Sequence, residues 1–146
     1  MQKLKPGEMA NFLREKCHRH NLKVTPQRQA IFEALYESRI HPTADQIYNI
    51  VRKQYPSVSF DTVNRTLLTF ASMGLIDVIE GYGNSRHFDP NLNPHHHAHC
   101  VKCGDILDFY SKDLDQLEIP EEIHREFKIL NKKVVVSGLC RKCQKK

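Results

Sequence analysis

The sequence predicts an α+β fold in which short helices end in a two-stranded hairpin and a small α/β domain closed by four cysteines follows. Three observations predict it. Between Thr25 and Phe70, capping residues three times precede apolar residues at helical spacing. Two strand-like runs, 76–80 and 86–88, then flank a glycine-rich turn, Gly81-Tyr82-Gly83-Asn84-Ser85. Finally, two C-x-x-C pairs, Cys100/Cys103 and Cys140/Cys143, bracket most of the remaining chain.

Composition narrows the class. At 146 residues, with 40% hydrophobic and 27% charged, the chain is globular and holds one large domain or two small ones. No apolar run approaches the roughly 20 residues that span a bilayer. The stretch MQKLKPGEMANFLREKC has no signal-peptide core, so the expectation is a cytoplasmic protein without a membrane partner. A net charge of +5 fits a nucleic-acid partner without requiring one. The cysteine count is 5, which is odd, and with no signal peptide that favours a metal site over a disulfide framework.

The elements follow in order. Residues 9–20 read as a weakly periodic helix with Met9, Phe12 and Leu13 apolar. Thr25 is an N-cap with Pro26 at the first helical position, and Ile31, Phe32 and Leu35 follow. Thr43 and Gln46 form a capping box ahead of Ile47, Ile50 and Val51, and Pro56 ends that helix. Ser59 caps a further helix carrying Val63, Leu67 and Phe70, with Gly74 as its C′ glycine. Helices followed by a hairpin are the order of a winged helix-turn-helix, whose last helix enters the major groove. A plain helical bundle with a solvated face shares that helix order. The last helix exposes Ser57, Ser59, Asp61, Thr62, Asn64 and Arg65. Arginine can read guanine and asparagine adenine.

The second half carries metal chemistry. Each C-x-x-C pair offers two thiolates on one tight turn, and two pairs complete a tetrahedral zinc site. A redox dithiol needs only one pair. Residues 104–139 between the pairs exceed a compact zinc ribbon, so they hold structure: strands at 106–110 and 134–139 and a helix near 121–127. Upstream, His95 and His97 point the same way on an extended strand. Imidazoles with carboxylates suit Fe(II) or Mn(II), and Asp89 and Asp108 are the carboxylates at hand. His96 and His99 are extra imidazoles open to adventitious metal.

These pieces together resemble the ferric uptake regulator (Fur) family from about Phe12 to Cys143. The resemblance is carried by Thr25-Pro-Gln-Arg28, His41-Pro-Thr-Ala-Asp-Gln-Ile-Tyr48, Thr62-Val-Asn-Arg65, His95-x-His97-x-x-Cys100-x-x-Cys103-Gly104 and Cys140-x-x-Cys143. It implies a winged-helix DNA-binding domain over residues 1–90 and a small α/β dimerisation domain over 91–146. It implies a homodimer that represses from double-stranded operator DNA when metallated, with DNA contacts from Ser59, Thr62, Asn64, Arg65 and Arg28. Carried over by position, the structural zinc ligands are Cys100, Cys103, Cys140 and Cys143. The regulatory Fe(II) or Mn(II) ligands are His41, Asp89, His95, His97 and Asp108. Nothing local marks His41.

With Asp at both acid positions, the chain is most similar to the peroxide-responsive (PerR) branch. There, Fe(II)-catalysed oxidation of a ligand imidazole, by analogy His41 or His95, releases DNA. A repressor that senses iron or manganese dose alone is the alternative. Pro94 and Lys132 stand where iron-uptake members have histidines of a further site, and Asn64 replaces the usual tyrosine of the reading helix. The Val134-Val135-Val136 run is an interface strand or a core strand. Two other classes compete. A metalloenzyme needs an open coordination position and a placed base, and beyond the two aspartates no carboxylate by the histidines is placed as one. A zinc-closed interaction module would bind no DNA and show no salt-dependent affinity for it.

Overall fold

A computed structural model of the protein describes residues 4–38, 41–80 and 86–145. Within it the chain forms two compact units, Met1–Leu92 and Asn93–Lys146.

The first unit holds four helices and a hairpin: α1 (Pro6–Arg19), α2 (Pro26–Glu37), α3 (Ala44–Gln54), α4 (Phe60–Ser72), β1 (Asp77–Glu80) and β2 (Arg86–Asp89). Local chemistry sets each boundary. The Thr25 hydroxyl accepts from Arg28 N–H at 3.2 Å and opens α2. Thr43 and Gln46 exchange both bonds of a capping box, at 2.9 and 3.3 Å, and open α3. Ser59 accepts from Thr62 N–H at 3.1 Å and opens α4. α4 ends in a Schellman arrangement. Gly74, at φ +71°, donates to Ala71, and Leu75 donates back to Phe70. A side chain at Gly74 would be strained in that left-handed conformation.

Helical spacing then gathers the core. Ile31, Phe32, Leu35, Ile47, Val51, Val63, Leu67 and Phe70 are buried together with Met9 and Leu13 of α1 and Phe88 of β2. Phe32 sits at its centre, with ring centroids 6.3 Å from Phe12, 5.9 Å from Tyr36 and 6.0 Å from Phe70, the last edge-on. Ile50 departs from expectation. It is 49% exposed, because the buried stripe of α3 runs through Ala44, Ile47 and Val51 and turns Ile50 outward. The hairpin pairs antiparallel, Asp77 opposite Asp89. It is one residue shorter than expected at Ile76, which is buried in the bend leaving α4, and one longer at Asp89. The turn expected at 81–85 lies outside the described residues. Four helices followed by this hairpin are a winged helix-turn-helix.

The second unit is a three-stranded sheet of order β4-β3-β5, with β3 (His96–Cys100), β4 (Ile106–Phe109) and β5 (Val135–Gly138). β3 pairs antiparallel with β4 and parallel with β5. A parallel return requires a crossover, which contains the short helices α5 (Lys112–Asp115) and α6 (Glu121–Glu126). Phe127 caps α6 in extended conformation and so falls outside it. Tyr110 lies beyond β4, and Val134 and Leu139 beyond β5. α5 was not expected, and neither was the closing turn α7 (Arg141–Gln144). No helix among the described residues is long and apolar enough to cross a membrane.

The packing makes a paired prediction. Phe70→Ala, at a fully buried ring, lowers unfolding free energy by about 3–5 kcal/mol. Ile50→Ala, at an exposed position, changes it by less than about 0.5 kcal/mol. Urea denaturation of the two variants checks both values.

Candidate metal centres and reading helix

The four cysteines converge in the second unit. Cys100 ends β3, and the chain reverses through Cys103-Gly104, with Gly104 at φ +82° donating to the Cys100 carbonyl at 2.9 Å. Cys140 and Cys143 begin α7, where Cys143 N–H donates to the Cys140 carbonyl at 2.9 Å. The four sulfurs lie within 4.8 Å of one another. Cys103 Sγ and Cys140 Sγ are 3.7 Å apart. Tetrahedral zinc with bonds of about 2.3 Å requires sulfur–sulfur edges of about 3.8 Å. The cluster therefore suits a structural zinc, and the group was legible from spacing alone.

Backbone donors prepare the thiolates. Cys140 N–H donates to Cys100 Sγ at 3.3 Å. With a second backbone donor at Cys103, that lowers the Cys100 thiol to about 6. Burial pushes Cys143 the other way, to about 12, with the neighbouring sulfurs of Cys140 and Cys100 adding to the effect. Outside the cluster, burial also raises Cys17 within the helical core. Cys17 is a small core residue there.

The second group of donors lies on β3 and β4. His97 stands opposite Asp108 in the register, and His95 immediately precedes β3. His95 Nε2 is 3.0 Å from His97 Nε2, His97 Nε2 is 3.2 Å from Asp108 Oδ1, and His95 Nε2 is 3.8 Å from the same oxygen. Adjacent ligands of an octahedral ion bonded at about 2.1 Å stand about 3.0 Å apart. The two imidazoles are 1% exposed, so this is a buried polar group rather than a solvated loop. The His95 ring is oriented for coordination. Its Nδ1–H donates to the Asn93 carbonyl at 2.6 Å, which leaves Nε2 as the lone-pair nitrogen of the neutral ring. Three nitrogen and oxygen donors at these separations can hold a divalent first-row ion.

The first unit contributes a similar pair. His41 Nε2 lies 3.5 Å from Asp89 Oδ2, both side chains nearly buried. Two contacts from β2 place His41. Phe88 N–H donates to the Pro42 carbonyl at 2.9 Å, and His87 Nδ1–H donates to the His41 carbonyl at 2.6 Å. Asn91 N–H donates to Asp89 Oδ1 at 2.9 Å, which turns Oδ2 toward His41. Sequence reasoning missed these supports, His87, Asn91 and Asn93. Their role follows from tertiary pairing and carries no local signal.

His96 is not an available donor. Its Nδ1 accepts from Val134 N–H at 3.0 Å and its Nε2 meets Asp115 at 2.8 Å, so both ring nitrogens tie the crossover to β3. His99 is buried at the end of β3, opposite Ile106 and Ser137.

The expected DNA contacts divide between two helices. Ser59, Thr62, Asn64 and Arg65 share the first turns of α4. Ser59 is engaged as the cap, and its hydroxyl pairs with that of Thr62 at 2.9 Å. Arg65 reaches Asp61 at 2.7 Å on the exposed face. Arg28 lies on α2 and donates to the Lys23 carbonyl at 2.6 Å.

Comparison with known proteins places this geometry. The model of the ferric uptake regulator family matches residues 19–137. The chain belongs to the ferric uptake regulator family. Among its relatives, the peroxide-responsive repressor PerR of Staphylococcus saprophyticus is 34% identical over 87% of this chain and 86% of that protein. The Staphylococcus aureus PerR is 34% identical over 86% of this chain and 84% of its own. Among solved structures, the Helicobacter pylori ferric uptake regulator, described with three functional metal-binding sites, superposes with a TM-score of 0.78 at 23% identity. It covers 99% of this chain and 97% of its own. PerR from Streptococcus pyogenes superposes with a TM-score of 0.53 at 27% identity, covering 98% and 96%. Membership makes this Fur-family chain a metal-responsive transcription regulator.

The cysteine environment predicts the pH dependence of zinc uptake. Metal binding requires thiolates, and Cys143 holds its proton through neutrality in the metal-free protein. Zinc uptake therefore releases protons, and apparent affinity rises as pH increases from about 6 to about 8. It falls more steeply below about 6, where the Cys100 thiolate also protonates. Competition with a zinc-indicator dye measures this, and a pH-independent affinity would contradict it.

Proposed function

We propose that this Fur-family protein is a homodimeric repressor that binds operator DNA when Fe(II) or Mn(II) is held by His41, Asp89, His95, His97 and Asp108. Hydrogen peroxide releases the Fe(II) form. The single observation that carries the reading is the preset trio His95, His97 and Asp108. It is built only from nitrogen and oxygen donors and uses none of the four thiolates that suit zinc. His41 and Asp89 supply the same donor chemistry from the first unit.

Two ions, two roles follow. The thiolate cluster ties the end of β3 to the end of the chain and is structural. The imidazole–carboxylate set is regulatory. An Fe(II) ion held there would supply the redox chemistry by which hydrogen peroxide, the two-electron oxidant, gives one oxygen to a ligand ring and leaves the other as water. The chain's own residues decide which ring is exposed to that chemistry. His41 and His95 are the candidates: the His95 ring donates to the Asn93 carbonyl beside Asp108, and His41, whose own carbonyl accepts from the His87 ring, stands beside Asp89. The PerR relatives support the peroxide reading.

The homodimer reading is supported by the surface of the second unit. Leu107, Tyr110, Phe127, Leu130, Val135 and Val136 are all half-exposed or more in the single chain. Exposed apolar side chains in this number suit an interface, and a second copy is the occupant proposed for it. Leu130→Glu shifts the protein from dimer to monomer in analytical ultracentrifugation, while the helical content of the first unit is kept. A dimer that persists would move the interface elsewhere.

The function is tested on Fe(II)-loaded, zinc-replete protein bound anaerobically to a selected duplex, before and after one equivalent of peroxide. Binding is lost, and mass spectrometry finds an added oxygen on the His41 or His95 peptide. Retained binding with unmodified peptides would replace peroxide sensing by metal-dose sensing.

A further inference from the structure

We infer that Phe60 reads the 5-methyl group of thymine in the major groove, which makes it a specificity-determining residue of this regulator. The inference rests on the DNA-binding reading above. Recognition helices present their N-terminal residues to base edges, and Phe60 is the first residue of α4. Of the polar residues there, Ser59, Asn64 and Arg65 address hydrogen-bond donors and acceptors, and Thr62 adds only a single methyl group, its hydroxyl being paired with Ser59. Thymine differs from the other bases in the major groove by its methyl group, and recognising it takes an apolar contact. Phe60 is the one large apolar side chain of α4 that is substantially exposed, at 43%.

Its surroundings hold it in place. Phe60 and Asn64 are four residues apart, so they occupy adjacent turns of one helix face. The Phe60 ring meets Tyr48 of α3 edge-on at 6.0 Å, and the Arg52 guanidinium lies over Tyr48 at 5.5 Å. The edge contact fixes the ring on one side and leaves the remainder open, as a surface for one methyl group requires. The Arg52 guanidinium brings positive charge to this aromatic pair, which suits a polyanion and would not favour a purely apolar partner. An adenine contact from Asn64 beside a methyl contact from Phe60 would read an A·T step in one orientation.

The test uses the full-length, zinc- and Mn(II)-loaded protein and duplexes selected by it from a random-sequence pool. The selected duplex is then remade with deoxyuridine replacing each thymidine in turn, which removes only the methyl group. The wild type loses about four-fold in affinity at one or two positions per half-site, the effect of one buried methyl group. Phe60→Ala binds thymidine and deoxyuridine duplexes equally, with an unchanged unfolding midpoint, while Phe60→Leu keeps part of the discrimination. A wild type indifferent to every deoxyuridine replacement, or a Phe60→Ala protein that still discriminates, would overturn the assignment. Failure to select any duplex would instead overturn the DNA-binding reading on which it rests.

Discussion

The antiparallel pairing of β3 with β4 governs what the second unit can hold. Its register sets His97 opposite Asp108 and closes at its end on the Cys100–Gly104 reversal. Side chains alternate along a strand, so a slip of one residue would carry Asp108 to the other face and dismantle the donor trio. The same slip would withdraw Cys100 from the other three sulfurs. Zinc at the cysteines would therefore do more than close a loop. By fixing the end of β3, it would fix the pairing on which the second group of donors depends. The parallel return of β5 adds a constraint on the other side, through Val134, whose amide engages His96 and whose carbonyl accepts from His97 N–H at 3.1 Å.

The first unit solves a different problem with ordinary means. Three side-chain caps and one Schellman turn define its helices, and a core centred on Phe32 fixes their packing. One consequence reaches the chemistry. β2 delivers Asp89, and the backbone bonds from His87 and Phe88 hold the segment that carries His41 against it. The hairpin of the winged helix thus doubles as the frame of the proposed ligand pair. The helix cap and the proposed metal ligand in that segment are two residues apart, Thr43 and His41, so the start of α3 and the position of the imidazole are set together.

Much of this was legible in the sequence, because it depends on local chemistry. Thr25, Thr43 and Ser59 cap where capping rules place them, and Gly74 ends α4 as a C′ glycine. The two C-x-x-C turns announced a tetrahedral cluster, and spacing put His95 and His97 on one face. What escaped was set by tertiary contact. Ile50 matched the helical period yet faces outward, since the period fixes a stripe and not its width. His41 has no local mark, and its partner lies nearly fifty residues away in the chain. His96 looked like a spare ligand and is instead engaged on both nitrogens, by Val134 and Asp115, which pattern reading could not supply. Phe60, proposed above as a thymine reader, stands outside the polar residues given as the expected DNA contacts.

The central claim is that the regulatory ion is held by nitrogen and oxygen donors at a site separate from the thiolates. X-ray absorption at the manganese edge of zinc-replete protein carrying one equivalent of Mn(II) tests it most directly. The account predicts a shell of nitrogen and oxygen scatterers at about 2.1–2.2 Å with the outer-shell pattern of imidazole rings, lost in His97→Ala while zinc content is kept. A sulfur shell around manganese, or manganese that binds unchanged in His97→Ala, would contradict it.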